Sequence, residues 1–187
     1  MEHERNINRK YFLKTTAFSL IALSTSNTFN CKADNNMDQK IVLSSLKEAL
    51  SFLEKIENRD LSVGGDWDIN QIFHHCSQSI EYSMSGYPIN KNILFRKTIG
   101  KIVLSKFLSQ GYMSHNLNDP IPGAPNLPEK TQSFTDGLSR LKEAIKTFQT
   151  YDKKTAPHFV YDEVSHEEYD RIHAMHLANH LSAFSGI

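Results

Sequence analysis

Apolar residues recur at helical spacing along most of the chain. Ile41, Leu43, Leu46, Leu50, Leu53 and Ile56 return mostly at three- and four-residue steps, the pattern of one buried helix face. They predict a first helix over 38–58. Gly64-Gly65 breaks that pattern, and Asp66 is placed to cap a second helix over 67–85. That helix stops at Gly86 with Pro88 beyond it, as helix ends commonly do. A third helix is predicted over 91–110, carrying Ile93, Leu94, Ile99, Ile102, Val103, Phe107 and Leu108, with Gly100 as a weak point. Residues 114–130 contain Pro120, Pro122, Pro125 and Pro128 and read as a long crossover loop, a feature that compact domains seldom carry without use. A fourth helix follows over 131–151, with Phe134, Leu138, Leu141, Ile145 and Phe148 on one stripe. After a loop over 152–164, Ser165 caps a last helix that is expected to reach Phe184. Glu167 and Glu168 lie in its first turn, where negative charge suits the helix dipole. Strand-like alternation is nearly absent, and the expected fold is all-α, an up-and-down or crossover bundle.

The 187 residues fit one domain preceded by a short leader. Basic and acidic residues balance at 21 each. No basic stripe points to nucleic acid. No apolar run reaches the roughly 18–20 residues of a membrane span. The opening residues follow a different plan. Arg9, Lys10 and Lys14 precede a short apolar run, Ala17–Leu23, and a Ser/Thr/Asn-rich stretch up to Asn30. That is the layout of an export signal, so residues 1–36 are read as signal and flexible segment and 37–187 as the helical domain. The stretch Asn8-Arg9-Lys10-Tyr11-Phe12-Leu13-Lys14 resembles the twin-arginine export motif, with lysine in place of the second arginine. Cys31 stands where a lipid anchor attaches in some exported proteins. The expected location is outside the cytoplasm, in the periplasm or cell envelope. Loss of residues 1–26 removes Arg5, Arg9, Lys10 and Lys14 against Glu2 and Glu4, leaving a charge of about −2.

Nine histidines occur, all but His3 at or beyond position 74. On the last helix, His176 and His180 are four residues apart and stand nearly one above the other. Two imidazoles so placed can converge on one metal. The residues between them, Leu177, Ala178 and Asn179, include no glutamate base, which excludes the zinc-protease helix. His173 lies one turn earlier as an alternate ligand. The second helix offers His74, His75 and Cys76 in succession. Adjacent residues point about 100° apart, and the apolar residues Ile69, Ile72 and Phe73 do not decide which of them faces inward. A Cys/His/His site is compatible with the spacing, although a buried thiol more often serves as a small hydrophobe.

Trp67 followed eight residues later by His75, together with His176-Leu177-Ala178-Asn179-His180, resembles the metal triad of the DinB-like superfamily of helical-bundle metalloproteins. The text His75-Cys76, Gln78-Ser79-Ile80-Glu81 and Gly86-Tyr87-Pro88 is closer to an uncharacterised, often exported bacterial branch, a family of unknown function. The resemblance covers about residues 40–185. It departs at Pro157-His158-Phe159-Val160, where the branch often carries a His-Pro-Phe-Gly-like loop. It implies a four-helix bundle of up-down-down-up type with one additional helix. It also selects His75 over His74, and implies a divalent ion (zinc, nickel, iron or manganese) on His75, His176 and His180. Three imidazoles with an open position are a catalytic rather than a structural pattern. The expected activity is that of a metal-dependent hydrolase or transferase on a small molecule, with a non-catalytic metal-binding or structural module as the alternative. Gln78, one turn past His75, and Glu81 are candidates to orient a ligand on the ion. Tyr82, Tyr87 and Tyr112 are expected as core and rim aromatics. A homodimer is compatible with the chain.

Overall fold

The computed structural model describes residues 41–187, so the export-signal, twin-arginine and Cys31 readings lie outside the described residues. The fold is all-α with one very small sheet. Helix α1 spans Leu46–Ile56 and is capped by Ser45, whose side chain accepts from the Glu48 amide. It starts later than the apolar spacing predicts, because the Ser45 cap lies inside the predicted range. Helix α2 spans Ile69–Ser85, and its cap is Asp68 rather than Asp66. Asp68 accepts from the Gln71 amide while Gln71 accepts from the Asp68 amide, a reciprocal capping box. Asp66 instead accepts a bond from Asn118 at 2.9 Å.

The third predicted helix is built in three parts. Helix α3 (Ile93–Phe95) runs through a π-helical turn (Arg96–Gly100) into α4 (Lys101–Gln110). Gly100 ends the π-helical turn. It is buried, and a Cβ there would collide with the Val160 carbonyl, so its lack of a side chain lets the helix lie on the 152–164 loop. Helix α5 spans Thr135–Gln149 and α6 spans His166–Leu181. Ser165 caps α6 with Glu168 in a second capping box.

Helices α1, α2, α5 and α6 form a closed ring of contacts: α2 on α5, α5 on α1, α1 on α6 and α6 on α2. Helix α4 packs outside this ring, against α6. The approach of α5 to α2 is close because Gly137 has no side chain. Its amide donates to Asn70 at 2.8 Å, and a Cβ would stand 2.6 Å from the Asn70 carbonyl. Leu46, Leu53, Phe73, Leu141, Ile145, Phe148, Tyr169, Leu177 and Leu181 fill the core.

The last helix ends at Leu181, earlier than predicted. Phe184 leaves it for a two-residue strand, β2 (Phe184–Ser185), which pairs antiparallel with β1 (Ser62–Val63). This pairing ties the C-terminus to the segment before α2, where Trp67 lies. The crossover loop is fixed to α2 by its own carbonyls. Gln71 donates to Pro128 at 2.8 Å and Gln78 to Pro125 at 3.2 Å, and the Thr131 amide donates to Asp68 at 2.6 Å.

Candidate metal centre

Helix α6 carries His166, Tyr169, His173, His176 and His180 at alternating three- and four-residue steps. This is the spacing of a seam that faces into a bundle. Each ring in the upper part is held by stacking. His166 lies flat on Phe148, with ring centres 4.3 Å apart, and His173 lies flat on Tyr169 at 5.1 Å. The seam ends at His176 and His180, and α2 brings His75 across to meet them.

The three imidazoles converge through their Nε2 atoms. His75 and His176 approach to 3.2 Å, and His180 and His176 to 3.1 Å. A ligand nitrogen from each of the three lies within 4.8 Å of the others, and the group could hold a metal ion. Two imidazole nitrogens on one ion, with bonds of about 2.0–2.1 Å and angles from 90° to tetrahedral, stand about 2.9–3.4 Å apart. The His75–His176 and His180–His176 separations fall in that range. The protons make the same point. A neutral imidazole has one N–H and one lone pair. If His75 and His180 carry their protons on Nε2, both must donate to a single lone pair on His176. If they carry them on Nδ1, as ligation through Nε2 requires, bare Nε2 lone pairs face one another, and the Nδ1 atoms are buried without a partner among the described residues. A cation accepting three lone pairs relieves the crowding at Nε2. The rings are also held in the neutral, metal-ready form. Burial, with His115 nearby, pushes His75 down to about 4. Burial, with His75 and His115 nearby, pushes His180 to about 2. Burial and four neighbouring histidines hold His176 well below the ordinary histidine range.

Trp67 walls the site. Its ring stacks on His180 at 6.2 Å and tilts against His75 at 4.9 Å. On the other side is a cavity of about 410 Å³ between α2, α6 and the two long loops, reached by His75, His115, His158, Tyr161, His173 and His176. His75 and His180 are buried and His176 is half-buried, so the triad meets the cavity chiefly along His176. His158 offers a fixed tautomer there. Its Nδ1 accepts from the amides of Val160 and Tyr161 at 3.0 and 3.3 Å, so its proton is on Nε2. Burial holds it neutral, and its ring stacks on Tyr161 at 4.3 Å.

The other sequence candidates are placed elsewhere. His74 faces α5, donating from Nε2 to Asp136 at 2.9 Å and accepting at Nδ1 from Arg140 at 3.0 Å. Arg140 in turn grips Glu81 through two bonds of 2.9 and 2.7 Å. His74 and Glu81 thus tie α2 to α5, and Gln78 ties α2 to the crossover loop. His173 belongs to the aromatic seam between Tyr169 and Phe148, and its buried Nε2 has no partner. Cys76 is a buried free thiol, pushed up by its burial, and takes no part in the triad. Tyr87 is a core residue whose hydroxyl donates to the Ser79 carbonyl, with Tyr82 beside it. Tyr112 is exposed.

His115 is the site residue that the sequence did not single out. It sits on the crossover loop with its ring 4.9 Å from His176 and 5.3 Å from His180. Its backbone carbonyl is pinned to α6 by Asn179, between the paired histidines. A lone histidine among prolines and asparagines has no helical neighbour to mark it. Its one signal is its place in the long loop.

A family model described as a protein of unknown function (DUF1569) matches residues 35–186. No curated protein matches the chain, and no solved structure does. The match takes in both helices that carry the triad and the loop that carries His115, and the chain belongs to the DUF1569 family.

Proposed function

We propose that the protein is a metal-dependent enzyme, a hydrolase or transferase, in which His75, His176 and His180 hold one divalent ion. The supporting observation is the convergence of three neutral-held imidazoles through Nε2 beside a cavity of about 410 Å³. The proposal includes the DinB-like bundle type, with α1, α2, α5 and α6 as the four helices and α3–α4 as the addition. Of zinc, nickel, iron and manganese, the first three suit an all-imidazole set, and manganese, which favours oxygen ligands, suits it least. A divalent ion so placed supplies Lewis-acid polarisation and a nucleophile at neutral pH. The protein's own groups do the rest. His75 and His180, with the Trp67 ring over them, close one side against water. His176 presents the triad to the cavity. The Nε2–H of His158 is a fixed donor on the cavity wall, and the Tyr161 hydroxyl, pushed up to about 12 by burial, stays protonated at neutral pH. The walls are largely apolar, with Met113, Ile121, Phe159 and Ile172 among them, which suits a small substrate that is only partly polar.

The test is ligand-linked stability followed by turnover. Added divalent metal should raise the melting temperature of the metal-free protein by mass action, and His176→Ala should abolish that rise. Esterase, amidase, phosphatase and thiol-transfer substrates should then be screened on the loaded protein. Stabilisation without any turnover would leave a metal-binding module and defeat the enzyme reading.

A further inference from the structure

We propose that His115 is a fourth metal ligand, delivered by the crossover loop. This rests on the metal reading of the triad. Within the triad the ring centres stand 5.0, 5.0 and 4.9 Å apart. His115 stands 4.9 and 5.3 Å from the rings of His176 and His180, beside the triad but outside the 4.8 Å within which the triad's ligand atoms gather. The tautomer of His115 is set correctly for ligation. Its Nδ1 lies 2.8 Å from the Asn116 carbonyl, which can only accept, so the proton is on Nδ1 and the lone pair is on Nε2. The loop is positioned for the task by bonds at both ends of the site: Asn179 of α6 to the His115 carbonyl, and Gln78 of α2 to the Pro125 carbonyl. His115 is half-buried and on a loop, whereas the triad is on helices. It therefore has the freedom to close the last short distance that separates it from the triad cluster. Metal binding then locks the loop over the cavity, and His115 is the ligand that an incoming substrate displaces.

The experiment is X-ray absorption on the full chain loaded with nickel or zinc, counting imidazoles by their scattering, for wild type and His115→Ala. Four imidazoles in wild type and three in the variant are expected. Amide exchange of residues 113–121 should slow on metal addition in wild type and not in the variant. Three imidazoles in both proteins, or loop exchange indifferent to metal, overturns the assignment while leaving the triad intact. If wild type takes up no metal, the triad reading falls and this one with it.

A second inference rests on a different part of the molecule. Of the nine exposed large apolar residues among the described ones, six lie in one short segment: Ile89, Ile93, Leu94, Phe95, Ile99 and Ile102. Leu94 is 71% and Ile102 66% exposed. Between Glu81 and Asp119 the chain has no acidic residue and five basic ones: Lys91, Arg96, Lys97, Lys101 and Lys106. Arg96 pairs with Asp162 at 3.2 Å and Lys101 donates to the Glu163 carbonyl. Lys91, Lys97 and Lys106 remain exposed without an anionic partner among the described residues. Gly100 and Leu104 turn inward, so the opposite side, with Ile99, Ile102 and Lys106, faces out. Apolar residues interleaved with unpaired lysines on an exposed helix are the surface that an anionic lipid bilayer receives, side chains entering the acyl boundary and cations meeting the headgroups. A second copy of the same face would bring like charges together. The geometry points to α3–α4 as a lipid-docking face.

Co-sedimentation of the full chain with phosphatidylglycerol-containing vesicles tests it. Binding to those vesicles, its absence with pure phosphatidylcholine, and its loss in the triple variant Leu94→Ser, Ile99→Ser, Ile102→Ser are expected. No binding to anionic vesicles overturns the proposal. So does equal binding by the triple variant, or a concentration-dependent dimer that the same variant abolishes.

Discussion

Helix α6 and the α3–α4 segment invert each other. Helix α6 sets four imidazoles and a tyrosine along one seam, where Tyr169, His173 and His180 are buried. The α3–α4 segment places isoleucines, a leucine and a phenylalanine outward. Hydropathy alone would assign them the opposite way. The reason lies in what each side chain can satisfy. A buried imidazole is costly unless its polar atoms are engaged; on α6 the buried Nε2 of His173 has no partner among the described residues, while His176 and His180 meet at one point. An exposed isoleucine costs little by itself, but six exposed apolar residues fall within the fourteen positions from Ile89 to Ile102, and contiguous exposed patches mark interaction surfaces. Departures from simple burial therefore mark both of the proposed binding places.

The contrast can be broken most strongly from the inside. Phe148→Ala removes a fully buried ring beneath the imidazole seam and should cost about 3–5 kcal/mol, read as a lowered urea midpoint with the slope unchanged. His74→Ala should cost about 0.5–1.5 kcal/mol, the net worth of a hydrogen bond whose remaining partners can reach water. It leaves Arg140 and Asp136 without their shared partner, and its effect is on the α2–α5 contact only, so metal uptake should persist.

Acid should act on the seam as well. In the metal-free protein, burial holds His173 near 3 and His75 near 4, below the ordinary value of 6.5. The unfolded chain then binds protons that the folded chain refuses, so stability falls as pH drops below 6.5. The decline should continue to about 4 for His75 and on to about 3 for His173, and be absent above 6.5. Denaturant midpoints of the metal-free protein between pH 8 and 4 check this, and a flat profile would show that these rings are hydrated. The smallest effect belongs to the outer face. Ile102→Ser should change stability by no more than about 0.5 kcal/mol, because that side chain is 66% exposed.

Much of the fold is legible in the order of residues alone. Helix number follows from apolar stripes, and the α5 stripe of Leu138, Leu141, Ile145 and Phe148 is buried as its spacing requires. The pair His176/His180 follows from four-residue spacing on one helix. The choice between His74 and His75 does not, and the fold explains why. Thirteen of the seventeen residues of α2 are buried, so that helix has no polar face against which to read an inner one. Resemblance points to His75, and it is His75 that lies with the α6 pair in the group that could hold an ion. His115 is illegible because a loop has no period. The exposure of α3–α4 is hidden because its apolar spacing matches that of a core helix. Only the ring of contacts formed by the other four helices reveals that no core position remains for its outer side.

The central claim is that His75, and not its neighbour His74, joins the α6 pair on a metal. Metal analysis of the purified protein beside His75→Ala and His74→Ala addresses it directly. About one equivalent of divalent metal is expected in wild type and in His74→Ala, and under about 0.1 equivalent in His75→Ala, since loss of one of three ligands weakens binding well beyond tenfold. Equal metal content in wild type and His75→Ala, or a wild type that holds none and gains no stability from added metal, would contradict the account.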